Sequence, residues 1–230
     1  MGSYFVQTIN TIHTKLDVMA AGLPDACCDS DKLPETKLES FTPLNMEEVR
    51  KLIESSIKKT CMLDPVPTSI MTSCIDVVLP VITKIINLSL ESGMFTGDWK
   101  CALINPLLKK DNLDLLFNNY RPISNLQFVS KLTERAVFNQ MHDYIVMNVL
   151  YPVLQSSYRK QHSTETALLK VMNDILVKMN SQHVTLLVML DAVDHRILLN
   201  RLLDEIGICG NALRLTGLYL IYLIEASVFP

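Results

Sequence analysis

Residues 163–191 read STETALLKVMNDILVKMNSQHVTLLVMLD, and the change of period inside this stretch decides the fold class. Ser163 stands where a helix needs an N-cap. Glu165 sits in the first turn, where the helix dipole favours an acid. Ala167, Leu168, Val171, Ile175, Leu176 and Met179 then recur at helical spacing, which predicts a helix whose apolar stripe packs on a core. From Val184 to Leu190 the chain is apolar at every position but Thr185. That predicts a strand buried on both faces, with Asp191 at its C-terminal end. A helix feeding a buried strand makes the fold mixed: α+β and helix-rich.

Upstream, helices are broken by prolines. Asn45 and Glu48 form a capping-box pattern ahead of Val49, Leu52, Ile53 and Ile57, predicting a helix to about Lys59. Leu63-Asp64-Pro65-Val66-Pro67-Thr68 cannot be helical at its prolines and reads as a rigid turn before two helices split near Asp76. Asp76 as N-cap would put Pro80 in the first turn; Ile82, Ile85, Ile86 and Leu90 give the buried stripe, and Gly93 the stop. Ala102 to Leu108 reads as a short strand that Pro106 confines to a sheet edge, closed by the solvated pair Lys109 and Lys110. Beyond Tyr120-Arg121-Pro122-Ile123-Ser124, a further helix carries Val129, Leu132, Ala136, Val137 and Met141 on one face. A last helix over Ile197–Ile206, a turn over Gly207–Asn211 and an apolar tail complete the pattern. The first 44 residues, a short amphipathic piece (Phe5, Ile9, Ile12, Leu16) and an acidic loop with prolines, read as a linker-like lead-in.

Composition narrows the function classes. At 49% hydrophobic content, 230 residues can bury a sizeable core, which excludes a disordered chain. The net charge of -3 hides an asymmetry: residues 1–64 hold seven basic against ten acidic side chains, whereas residues 95–178 hold ten against seven. A polyanion-facing surface therefore belongs in the second half. Six cysteines without a CxxC pair argue against structural zinc and for free thiols, Cys27 and Cys28 included, in an intracellular, reducing compartment, nucleus or cytoplasm. No secretory leader pattern opens the chain, and its longest apolar stretch, Gly217 to Ile224, falls far short of the roughly 20 residues of a membrane span. His162 and His195 read as polar loop histidines.

Several segments in one order resemble the reverse transcriptases of LINE-type (non-LTR) retrotransposons, the jockey-like and chicken-repeat-like groups in particular. They are Leu63–Thr68, Asn87-Leu88-Ser89-Leu90, Pro106-Leu107-Leu108-Lys109-Lys110, Asn119–Leu126, Gln155-Ser156-Ser157-Tyr158-Arg159-Lys160, His162–Leu168, Leu190-Asp191 and Val193-Asp194-His195. The resemblance covers roughly Phe41 to Tyr219. It implies the fingers and partial palm of a right-hand polymerase: fingers over 45–182 and a shortened start of the palm over 183–230. It further implies an RNA-directed DNA polymerase, a nucleotidyltransferase acting on an RNA template, a DNA primer and deoxynucleotide triphosphates with Mg2+. Asp191 is then the candidate metal-binding, catalytic aspartate, Arg159 and Lys160 meet the triphosphate or template phosphates, and Arg121 touches template backbone.

The resemblance breaks at the first palm motif. Family members place several further residues between the metal-binding aspartate and the Val-Asp-His that follows, whereas Leu190 to His195 is contiguous here. Two alignments result, one with Asp191 as the metal ligand and one with Asp191 matching the later aspartate. The sequence stops at Pro230, ahead of where the resemblance places the template-grip motif and the family's Tyr/Phe-x-Asp-Asp hairpin, so the second metal-binding strand is expected to be missing. The expected function is therefore a reverse transcriptase fragment that is inactive by itself. Its rivals are a non-catalytic module binding RNA or an RNA–DNA hybrid, and a retroelement relic without function.

Overall fold

Helix α1 (Met46–Ser55) begins at a reciprocal cap. Asn45 Oδ1 accepts from the Glu48 amide at 2.9 Å and a Glu48 carboxylate oxygen accepts from the Asn45 amide at 2.8 Å, satisfying two donors a bare helix start leaves unpaired. Val49, Leu52 and Ile53 are buried as their spacing predicts. The computed structural model, which describes residues 36–152, 154–157, 159, 161–187 and 195–222 with Tyr4, Gln7, Thr11 and Thr14, ends this helix before the expected Lys59 and leaves Ile57 exposed. The Ser56 hydroxyl donates to the Leu52 carbonyl at 2.6 Å, occupying the acceptor that the Ser56 amide would use to continue the helix.

The proline turn leads into α2 (Thr68–Ser73) and α3 (Ile75–Ser92). The break falls at Cys74, not at Asp76, which lies in the first turn of α3 and pairs with Arg50. Pro80 therefore sits in the second turn, on the exposed side, where the carbonyl it leaves unpaired can meet water. Ile82, Ile86 and Leu90 are buried and Ile85 is exposed. Gly93 closes the helix at φ +64°, in the left-handed region, and a Cβ there would come within 3.1 Å of the Asn211 carbonyl oxygen.

Strands β1 (Leu103–Leu108) and β2 (Tyr120–Asn125) form an antiparallel two-stranded ribbon, with Pro106 opposite Pro122 and Leu107 opposite Arg121. The edge position expected for the first strand holds. The second strand carried no period-2 signal in the sequence. Helix α4 (Phe128–Met147) follows, burying Phe128, Leu132 and Ala136, with Val129, Val137 and Met141 packed at the margin of the core.

Helices α6 (His195–Asp204) and α7 (Gly210–Tyr222) close the same core. Ile208, Ala212 and Leu215 join Val49, Ile86 and Leu132 in one buried cluster, so the stretch read as a turn and tail is helical from Gly210 to Tyr222. Its turn contracts to Gly207–Cys209, where a parallel bridge sets Leu38 against Ile208: the Leu38 amide donates to Gly207 and the Cys209 amide to Leu38, at 3.0 and 2.9 Å.

Helix α5 (Thr164–Asn180) has the cap the sequence announces, Ser163 with Thr166 as its reciprocal partner, yet none of its residues is buried. The stripe read as core packing is a correction: Leu168, Leu176 and Met179 are each more than half exposed. Periodicity locates an apolar face without saying what covers it. Val184 to Leu187 likewise form no strand and are exposed, because no ladder partner pairs with them among the described residues; Val188, Met189 and Leu190 lie outside those residues. No helix of the described residues is long and apolar enough to cross a membrane.

One carboxylate ties the proline turn to α4. Asp64 Oδ2 accepts from the Cys61 amide and Oδ1 from the Phe128 amide, both at 2.7 Å, and the latter is the first amide of a helix whose own N-cap, Gln127, makes no side-chain cap bond. Replacing Asp64 by Ala is expected to lower the unfolding free energy by about 2 kcal/mol, with a smaller loss for Asn, which keeps one acceptor. An unchanged urea midpoint for Asp64→Ala would refute the cap. Tyr144 joins two segments remote in sequence: its single hydroxyl proton is shared between the carbonyls of Thr36 at 2.9 Å and Ile206 at 2.8 Å. Burial, and to a lesser degree the nearby Cys209, raises its pKa above the ordinary tyrosine value. Tyr144→Phe is expected to cost about 1 kcal/mol in the same titration.

Candidate nucleic-acid interface

The loop after α4 positions the first of the candidate residues. Tyr151 folds back on the helix, its hydroxyl 2.7 Å from His142 Nδ1 with the two rings 5.7 Å apart. The Arg159 guanidinium lies 5.3 Å above the Tyr151 ring and donates to the Gln155 carbonyl at 3.2 Å. Ring face and carbonyl are both neutral, so the guanidinium is oriented without its charge being cancelled. His142, Tyr151 and Arg159 line, with Asp143, Gln161 and His162, a cavity of about 500 Å3.

Arg121 is elsewhere. It is exposed on β2, before the N-terminal end of α4, whereas Arg159 is anchored through Tyr151 to His142. At 1.5 Å per residue the helix separates the two regions by roughly 20 Å. They do not share a pocket. Lys160 and Asp191 lie outside the described residues, as do Cys27 and Cys28.

The start of α5 differs from the open anion site that a basic pair ahead of a helix invites. The Thr166 amide donates to Ser163 Oγ at 3.3 Å, so the cap takes one free donor, and a hydrogen bond with Ser163 holds the Glu165 carboxyl below its usual range. A carboxylate fixed at this end repels a phosphate where the dipole would otherwise draw one. Among the described residues no group of three His, Cys, Asp or Glu side chains is placed to hold a metal ion. Sequence reasoning missed Tyr151 and His142, the pair that orients Arg159. Their meeting depends on the loop doubling back, and no local spacing signals it.

No protein-family model matches the chain. Among curated proteins it is 29% identical over 137 residues to the probable RNA-directed DNA polymerase from transposon BS of Drosophila melanogaster, covering 59% of this chain and 15% of that protein. It is 27% identical over 164 residues to the RNA-directed DNA polymerase from mobile element jockey of the same fly, covering 69% and 18%. With the jockey polymerase of Drosophila funebris it shares 29% over 132 residues, covering 57% and 14%. The chain thus spans less than a fifth of the length of the curated relatives it matches. Its resemblance to non-LTR reverse transcriptases is borne out: in sequence the chain is similar to the RNA-directed DNA polymerases of the jockey and BS mobile elements.

Proposed function

We propose that this chain is a fingers-like part of an RNA-directed DNA polymerase that grips an RNA template paired with DNA without carrying a complete catalytic centre. The observation that supports it most is the similarity of 137 and 164 residues of the chain to relatives named as RNA-directed DNA polymerases, beside the ordered motif segments from Leu63 to Leu168 that resemble the family. Packing agrees with a common role for two of these segments: Asp64 of the first caps α4, and the Asn125 carbonyl of the fourth accepts from Cys61 Sγ at 3.3 Å.

Arg159, oriented by Tyr151 and free of a carboxylate partner among the described ion pairs, is the proposed contact for triphosphate or hybrid phosphates. Arg121 is the proposed backbone contact, and Lys160 accompanies Arg159. Such contacts position nucleic acid without reading its sequence. Asp191 stays the candidate metal ligand by resemblance alone. The contiguous Leu190 to His195 favours the reading without catalysis, because it removes the residues that normally separate the two aspartates of that motif.

Primer extension by the 230-residue chain with Mg2+ is expected to give no templated incorporation above background. Robust incorporation that vanishes in Asp191→Ala would overturn the non-catalytic reading. Binding to an RNA–DNA hybrid is expected to weaken with salt, and Arg159→Ala to reduce both the affinity, severalfold, and the salt slope, by roughly one. A hybrid affinity independent of salt would sink the gripping role.

A further inference from the structure

A second basic surface lies on the other half of α4. A groove of about 460 Å3 runs between residues 56–59 and the helix, lined by Lys59, Lys131, Arg135 and Phe138, with Glu134 its single acid. That volume falls in the range of roughly 300–1,000 Å3 typical of ligand sites. Lys131, Arg135, Phe138 and His142 follow one another at four-, three- and four-residue steps, which places them on one helix face.

The cations there are held by neutral groups. Lys131 Nζ donates to Asn125 Oδ1 at 2.7 Å, and Arg135 donates to the Ser55 carbonyl at 3.2 Å. None of the ion pairs among the described residues includes Lys59, Lys131 or Arg135. Three positive charges thus face one carboxylate. Between them Phe138 is 52% exposed, with its ring stacked on His142 at 5.7 Å and 14° between planes. An arginine that satisfies the last carbonyls of α1 is accounted for by that role alone. The exposed Lys59 has no such account, and stacking on His142 leaves the Phe138 ring half bare.

We propose that this groove binds single-stranded polynucleotide, with phosphates on Lys59, Lys131 and Arg135 and a base stacked on Phe138. A backbone of like charges flanking an aromatic ring suits a chain that carries both phosphates and bare base faces. A duplex buries those faces, and an acidic peptide has none. The site is separate from the Arg159 cavity and does not rest on the gripping of hybrids.

The test is fluorescence anisotropy of a labelled oligouridylate of about a dozen nucleotides, long enough for the site sizes of single-strand binders. Phe138→Ala is expected to weaken binding roughly tenfold and Phe138→Trp to restore it. Lys59→Ala, at an exposed position, should weaken it severalfold and lower the salt slope by roughly one. Lys59→Glu should weaken it further, and keeps the test decisive if Phe138 variants do not fold. Absence of binding by the intact chain overturns the proposal, as does indifference to the Lys59 variants or displacement by polyglutamate as effective as by unlabelled oligouridylate. Loss of oligouridylate binding in Arg159→Ala with the groove variants unaffected also overturns it, and leaves the hybrid reading intact.

Discussion

The Asp64 carboxylate accepts two amides that lie far apart in the chain, that of Cys61 within its own turn and that of Phe128 at the start of α4. Prolines on either side of Val66 stiffen the segment that carries it, so the carboxylate is presented with little freedom to lose. Everything downstream leans on the helix it starts. Helix α4 supplies Phe128, Leu132 and Ala136 to the core, Tyr144 to the junction of residues 36 and 206, and the outward face that bears Arg135, Phe138 and His142. A cap drawn from a distant turn makes these surfaces one mechanical unit.

Much of this was legible where the cause is local. The caps at Asn45 and Ser163 and the stop at Gly93 depend on neighbours within four residues, and each appears where the sequence places it. The buried faces of α1, α3 and α4 follow from period. What escaped depends on partners remote in sequence. Tyr120 to Asn125 contains Arg121 and Pro122 where a half-buried strand would alternate, and it is a strand because Leu103 to Leu108 pairs with it. Helix α7 was hidden inside an apolar tail because its Ala212 and Leu215 acquire meaning only against the rest of the core.

The candidate site divides along the same line. Residue type and motif order pointed to Arg159, and the structure gives it a setting, a tyrosine ring and a carbonyl, that no spacing encodes. Arg121 was singled out for the proline beside it and lies at the far end of α4. The stripe of α5 shows the limit of pattern reading from the opposite side, since its apolar residues have helical spacing and no burial. Amphipathic sequence is a statement about a preference, and satisfaction of that preference is a property of the surroundings.

The facing prolines of the β ribbon have a consequence for self-association. Lys109 donates to the Asn119 carbonyl at 2.8 Å, which by alternation makes Pro106 and Pro122 a pair that exchanges no hydrogen bonds across the ribbon. At such a pair the backbone nitrogens point outward, and proline carries no hydrogen there. Both outer edges of the ribbon therefore lack a donor at the same level, near the middle of each six-residue strand. An incoming strand from another molecule would meet a gap in the ladder on whichever side it approached. Among the described residues the two-stranded ribbon is all edge, and it is made a poor template for aggregation by the residue pair that its register brings face to face.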